Sequence, residues 1–222
     1  MGYMRLSRSL LAVVALGLLA TVAVAGATQL VPTPVPRPAR AAPSTPAPAS
    51  VQVSHGSVYF LRGLLNVFSR GMDRLSDKLE ARGIQSRVTN YTHWQEFATL
   101  LVNQYRTDKS LTPVIIVGHS LGADAAINMG NYLGRNGVPV RLVVSFDAVD
   151  GGSAVGAGID EVVNYYKSDG VGRVIKASPS FKGELVNVDV ADRTDIDHLN
   201  IEKDETLHEE VIVKVVDIFN RQ

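Results

Sequence analysis

From residue 51 onward, short unbroken apolar runs alternate with stretches whose apolar residues recur every three or four positions. Val58–Leu61 is such a run, ends at Arg62-Gly63, and predicts a buried strand. Asn66–Arg82 carries Val67, Met72, Leu75 and Leu79 on one stripe with Arg and Asp between them, which predicts a helix stopped by Gly83. Ile84–Thr89 is a second strand candidate. Trp94–Tyr105 is a second helix, with Phe97, Leu100, Leu101 and Tyr105 as its apolar set. The run VIIVG at 114–118 follows Pro113 and shows no polar alternation, as a central parallel strand buried on both faces requires. Leu121–Leu133 has Leu121, Ala125, Met129 and Leu133 at i, i+4 spacing and predicts a third helix. Val140–Phe146, Val162–Tyr166 and Leu185–Val190 read as further strands. Glu205–Phe219 closes the chain as a helix with Leu207, Val211, Ile212, Val215, Val216 and Phe219 on one face. Parallel strands joined by helical crossovers need helices on both faces of the sheet, so the expected fold is a three-layer α/β/α sandwich around a mostly parallel sheet.

The first 50 residues follow a different pattern. Arg5 and Arg8 precede the uncharged run LLAVVALGLLATVAVA at 10–25, and small residues at Ala23, Ala25 and Ala27 satisfy the A-x-A rule twice. This is the layout of a secretory signal, expected over residues 1–27, with an uncleaved membrane anchor as the alternative. The 16-residue run is short against the roughly 20 residues that span a bilayer. Residues 28–50 hold seven of the ten prolines and read as a semi-extended spacer, because proline removes backbone donors and fixes φ. The expectation is an exported protein, periplasmic or secreted, that meets a membrane only through its N-terminal segment if that segment is retained.

Charge and composition narrow the chemistry. Lys plus Arg and Asp plus Glu both number 22, which argues against a nucleic-acid partner. All 22 acids but only 18 of the basic residues fall in 51–222, so that domain carries about −4. The absence of Cys excludes disulfides, zinc-thiolate and iron–sulfur sites and a cysteine nucleophile. The glycine-rich stretch 151–158 lacks the Gly-Lys-Ser/Thr ending of a phosphate loop and reads as a flexible rim. No cofactor or metal is expected.

Gly118-His119-Ser120-Leu121-Gly122 is G-x-S-x-G, set directly between the strongest strand and a helix. A serine there stands on a tight turn above the sheet edge, where the helix N-terminus points its free N–H groups. The glycines let the chain bend without a Cβ clash. Ser120 is the expected nucleophile and the Leu121 N–H an expected oxyanion donor. His119 is adjacent on a sharp elbow and reads as a packing residue rather than the base. His55 and His93 precede the serine, against the order serine, acid, histidine that belongs to this layout. His208 reads as a solvated helix residue among Glu205, Glu209 and Glu210. His198, in the loop between the last strand and the last helix, is the expected base. Asp147 ends the strand 141–146 and is the first choice of acid; Asp169, after the next strand, is the second. Tyr91, His93 and Trp94 either line the site or pack the helix that follows them.

The strand VIIVG, the elbow GHSLGA at 118–123, the FDAVDG stretch at 146–151 and the loop DRTDIDHLN at 192–200 together resemble the α/β-hydrolase superfamily in its lipase/thioesterase-like branch. The likeness covers about residues 55–222. It implies a Ser120–Asp147–His198 triad, with Asp169 in the acid position that many lipases use. It also implies an oxyanion hole formed by Leu121 and by the loop Arg62-Gly63-Leu64, although that loop lacks the family's His-Gly pair. The implied activity is hydrolysis of a carboxylic ester or thioester of a small-molecule or lipid-like acyl substrate. The alternatives are acyl transfer by the same triad, or a non-catalytic envelope-binding module. The domain is short for the superfamily, and no long insertion follows Val140–Phe146. A compact fold without a large lid is therefore expected, its serine open to water or covered only by residues 151–160, with Leu64, Leu65 and Val155 lining a shallow groove.

Overall fold

A computed structural model describes residues 56–64, 69–151 and 153–221. The expected signal segment 1–27 and spacer 28–50 lie outside the described residues, as do Leu65, Asn66 and Val67.

Among the described residues six strands form one sheet: β1 (Ser57–Arg62), β2 (Ser86–Asn90), β3 (Val114–His119), β4 (Val140–Phe146), β5 (Glu161–Tyr166) and β6 (Glu184–Asp189). Their order is β2-β1-β3-β4-β5-β6, and every neighbouring pair is parallel. Among the described residues the α-helices are α1 (Arg70–Glu80), α2 (Trp94–Tyr105), α3 (Leu121–Arg135) and α4 (Glu205–Asn220). β1 lies next to the edge strand β2, β3 returns to pair with the other side of β1, and β4, β5 and β6 follow outward to the opposite edge. That reversal leaves α1 and α4 on one face and α2 and α3 on the other. The result is a three-layer α/β/α sandwich around a parallel sheet.

Strand periodicity divides the core between the two faces. Val58, Phe60, Ile115, Val117, Leu142, Val144, Phe146 and Tyr165 pack under α1 and α4, whereas Tyr59, Leu61, Ile116, Val143 and Val162 pack under α2 and α3. Val140 joins the second face although Leu142 lies on the first. A register shift between Val114 and Ile115 places one extra β4 residue, Arg141, against β3 and reverses the alternation there. β3 is buried along its whole length, in keeping with its unbroken apolar run.

α1 ends where Gly83 takes φ +79°. α2 coincides with its expected span, but its buried face is Ala98, Leu101 and Val102, and Leu100 is exposed. Tyr91 and Trp94 pack on the α2–α3 side of the core, with the Trp94 ring edge-on to Tyr132 at 6.3 Å, while exposed His93 faces Glu96. Of the two uses open to these residues, the structure shows packing. Among the described residues no helix is long and apolar enough to cross a membrane.

Candidate active site

The carboxyl ends of β3 and β4 and the loop after β6 meet at one point. Ser120 follows β3 at φ 58° and ψ −127°, a left-handed conformation that costs a non-glycine residue about 1–3 kcal/mol. Tight packing holds it there. A Cβ on Gly118 would lie 2.1 Å from the Gly122 carbonyl oxygen, and one on Gly122 would lie 2.0 Å from the Leu61 carbonyl oxygen. The two elbow glycines therefore let the start of α3 press onto β3 and β1. Leu121 is the first residue of α3, and its N–H has no acceptor within the helix.

His198 Nε2 lies 3.0 Å from Ser120 Oγ, and His198 Nδ1 lies 2.6 Å from Asp147 Oδ2. Asp147, directly after β4, also has a positive φ, 55°. Its side chain is buried, and both its oxygens are engaged: Oδ1 accepts the Lys167 N–H at 3.0 Å while Oδ2 faces the imidazole. Gly172 makes room for this carboxylate, since a Cβ there would stand 1.8 Å from Oδ1. The loop after Asp147 is tied down by Asp124 in the first turn of α3, whose Oδ2 accepts the N–H groups of Val149 and Asp150, both at 3.2 Å. Burial raises the Asp124 carboxyl above its usual range, and its Oδ1 is buried without a partner.

The structure thus brings Ser120, His198 and Asp147 together. It does not bring Asp169 to them: that side chain is exposed and pairs with Lys167 at 3.2 Å. Of the expected oxyanion loop, Gly63 lies directly over the elbow, where a Cβ would stand 2.9 Å from both Ser120 Cβ and the His119 carbonyl oxygen. Its N–H donates to Ser69 Oγ at 3.1 Å. Leu64 follows, 55% exposed.

Three expectations are corrected. Ser120 is only 9% exposed, so it is not open to water. Gly63 packs against it, while Ala154 and Gly156 of the 151–160 loop are anchored elsewhere. That loop is instead held to the side of α3: Asn131 donates to the Ala154 carbonyl at 3.0 Å and accepts the Gly156 N–H at 2.6 Å. Val155 is fully buried in the α2–α3 core and cannot line a groove. His208 is fully buried too, its Nε2 2.8 Å from the Glu202 carbonyl oxygen, because α4 turns it toward the chain that enters the helix. Burial lowers its pKa.

The sequence pattern gave no sign of Ser69, Asp124 or Gly172. Ser69 and Gly172 act on the site from positions distant in the chain, and Asp124, in the turn that follows Ser120, holds a loop some 25 residues further on. A cavity of about 700 Å³ opens beside Asp147, lined by Asp150, Gly151, Tyr166, Gly172, Arg173 and Lys176. Ser120 and His198 are not part of its wall.

The three-layer sandwich thus carries a buried Ser–His–Asp network with the layout of a hydrolytic site. No family model matches the chain, and no curated protein matches it. Among solved structures, it is similar to Est1E from Butyrivibrio proteoclasticus, with 10% identity over 75% of this chain and 89% of that one, TM-score 0.49. The NocB thioesterase domain from the nocardicin cluster is similar at 14% identity over 75% and 95%, TM-score 0.45. Mouse alpha/beta hydrolase domain-containing protein 10 is similar at 11% identity over 74% and 90%, TM-score 0.42. These likenesses concern the fold.

Proposed function

We propose that the protein is a serine hydrolase that cleaves a carboxylic ester or thioester through an acyl-enzyme on Ser120. The observation that carries this is the continuous contact Ser120 Oγ, His198 Nε2, His198 Nδ1, Asp147 Oδ2 at 3.0 and 2.6 Å. His198 Nε2 takes the hydroxyl proton as Oγ attacks the acyl carbonyl. Asp147, buried and acceptor-only when ionised, keeps the proton of the neutral imidazole on Nδ1 and so leaves Nε2 free as a base. The oxyanion is held by the Leu121 N–H and an N–H of the 63–64 loop. The imidazolium protonates the leaving group, and water, deprotonated by the same histidine, releases the acid.

The described part of the β4–β5 connection, residues 147–160, contains no helix that could form a lid. This supports a small or exposed acyl group as substrate. We read residues 1–27 as an export signal on their residue pattern, with an uncleaved anchor as the alternative, so the proposal is an exported enzyme.

The test is covalent labelling with a fluorophosphonate, followed by p-nitrophenyl esters from acetate to palmitate. One label per chain is expected on the wild type and none on S120A, with kcat/KM highest at short chains. Labelling that persists in S120A would overturn the assignment of the nucleophile. A sharp rise on long esters at an oil–water interface would overturn the choice of substrate.

A further inference from the structure

Ser69 stands at the N-cap of α1, where a serine ordinarily accepts an N–H of the first helical turn. Here its side chain makes no such bond. Its Oγ instead lies 3.1 Å from the Gly63 nitrogen and 2.8 Å from His119 Nδ1. The turn's Gly71 N–H is left to Glu202 Oε1, at 3.4 Å. On its other side the His119 ring places Nε2 2.8 Å from the main-chain oxygen of His198.

The hydrogens in this chain have one consistent arrangement. A carbonyl oxygen only accepts, so His119 Nε2 carries a proton. Burial holds the His119 pKa down at about 4, so the ring is neutral near pH 7 and Nδ1 is an acceptor. Ser69 has one hydroxyl proton, which goes to Nδ1, and its oxygen receives the Gly63 N–H. Every donor is matched, and Ser69 and His119 are both buried.

We propose that Ser69 and His119 are positioning residues that hold the 62–64 loop and the His198 loop in fixed register across the nucleophile, through the relay Gly63 N–H to Ser69 Oγ–H to His119, and His119 Nε2–H to the His198 carbonyl. Two contacts then grip the base from adjacent residues of one elbow: Ser120 reaches its ring and His119 its backbone. The relay also commits the Gly63 N–H to Ser69, which leaves the Leu64 N–H as the loop's candidate for the second oxyanion donor. This inference rests on Ser120 being the nucleophile.

The test combines nitrogen-15 NMR of the wild type with kinetics of S69A and S69T. The wild type should show His119 as the Nε2–H tautomer at pH 7, and S69A should shift its Nδ1 resonance toward that of an unbonded acceptor. S69A should lower kcat and the fluorophosphonate rate about 10- to 100-fold with KM little changed, as expected when donors move by a fraction of an ångström. S69T, which keeps the hydroxyl, should recover most of the rate. An Nδ1–H tautomer in the wild type overturns the relay, and so does S69A at wild-type rate or S69T as slow as S69A. A wild type that takes no fluorophosphonate fails the assignment of Ser120 instead, while the tautomer still decides the relay.

Discussion

Glu202 should make the folded chain less stable as pH rises toward neutrality, and E202Q should remove that dependence. The residue is fully buried in the turn before α4, with its carbonyl oxygen pressed against α1, where a Cβ on Gly71 would stand 1.7 Å away. Its Oε1 faces the Gly71 N–H at 3.4 Å and Lys203 Nζ at 3.6 Å, while Oε2 has no partner. Burial pushes its pKa from 4.5 up to about 7, and the nearby Lys203 offsets only part of that. Between those two values the folded state keeps a proton that the unfolded chain has released. Stability therefore falls as pH rises through this window, and the loss is complete above about 7. At about 1.4 kcal/mol for each tenfold change in proton affinity, the loss comes to about 3 kcal/mol. His119 works in the opposite direction. Its pKa falls from 6.5 to about 4, so acidification through that range protonates the unfolded chain first and removes stability. A wild-type profile alone mixes the two, and the difference between E202Q and wild type isolates Glu202. In urea unfolding between pH 4.5 and 7.5, that difference should grow by about 3 kcal/mol in favour of E202Q, a midpoint shift of about 1–3 M. The amide's own packing adds only a constant offset. A difference that stays flat with pH would refute a carboxyl titrating in this site.

Asp147 and Asp169 separate in one assay: D147N should cost about 10⁴ in kcat, as loss of a triad acid does, whereas D169N, on an exposed side chain, should stay within a few-fold of wild type. A crippled D169N beside an active D147N would reverse the choice of acid. G63A should lower kcat about 100-fold, because its Cβ must displace either the 62–64 backbone or Ser120; circular dichroism should show the fold retained, and an unchanged kcat would mean that this loop is not held against the nucleophile.

The sheet and its helices were legible in the chain because burial dictates local pattern. A strand covered on both faces must be apolar throughout, as 114–118 is, and a helix lying on a sheet must repeat every three to four residues. The strand–turn–helix junction at 118–122 was legible for a similar reason: glycines on either side of a serine are a local geometry written in five consecutive residues. Tertiary structure decided how the ends of distant elements meet. Asp147 and Asp169 both follow parallel strands, and only the sheet order and the Lys167 N–H beneath the carboxylate show which one faces His198. Leu100 and His208 misled because one turn of helix places neighbouring positions on opposite sides, and the partner layer decides which side is dry. Val155 sits in a loop of small residues whose sequence says nothing of the α3 side chain that holds it in place. Ser69 falls inside the helix expected from Asn66 onward, and only the structure puts Gly63 and His119, 6 and 50 residues away, around its hydroxyl. Local sequence determines backbone preference and burial pattern, which depend on nearest neighbours. Hydrogen-bond partners across the chain depend on ångström-scale distances that exist only once the layers have packed.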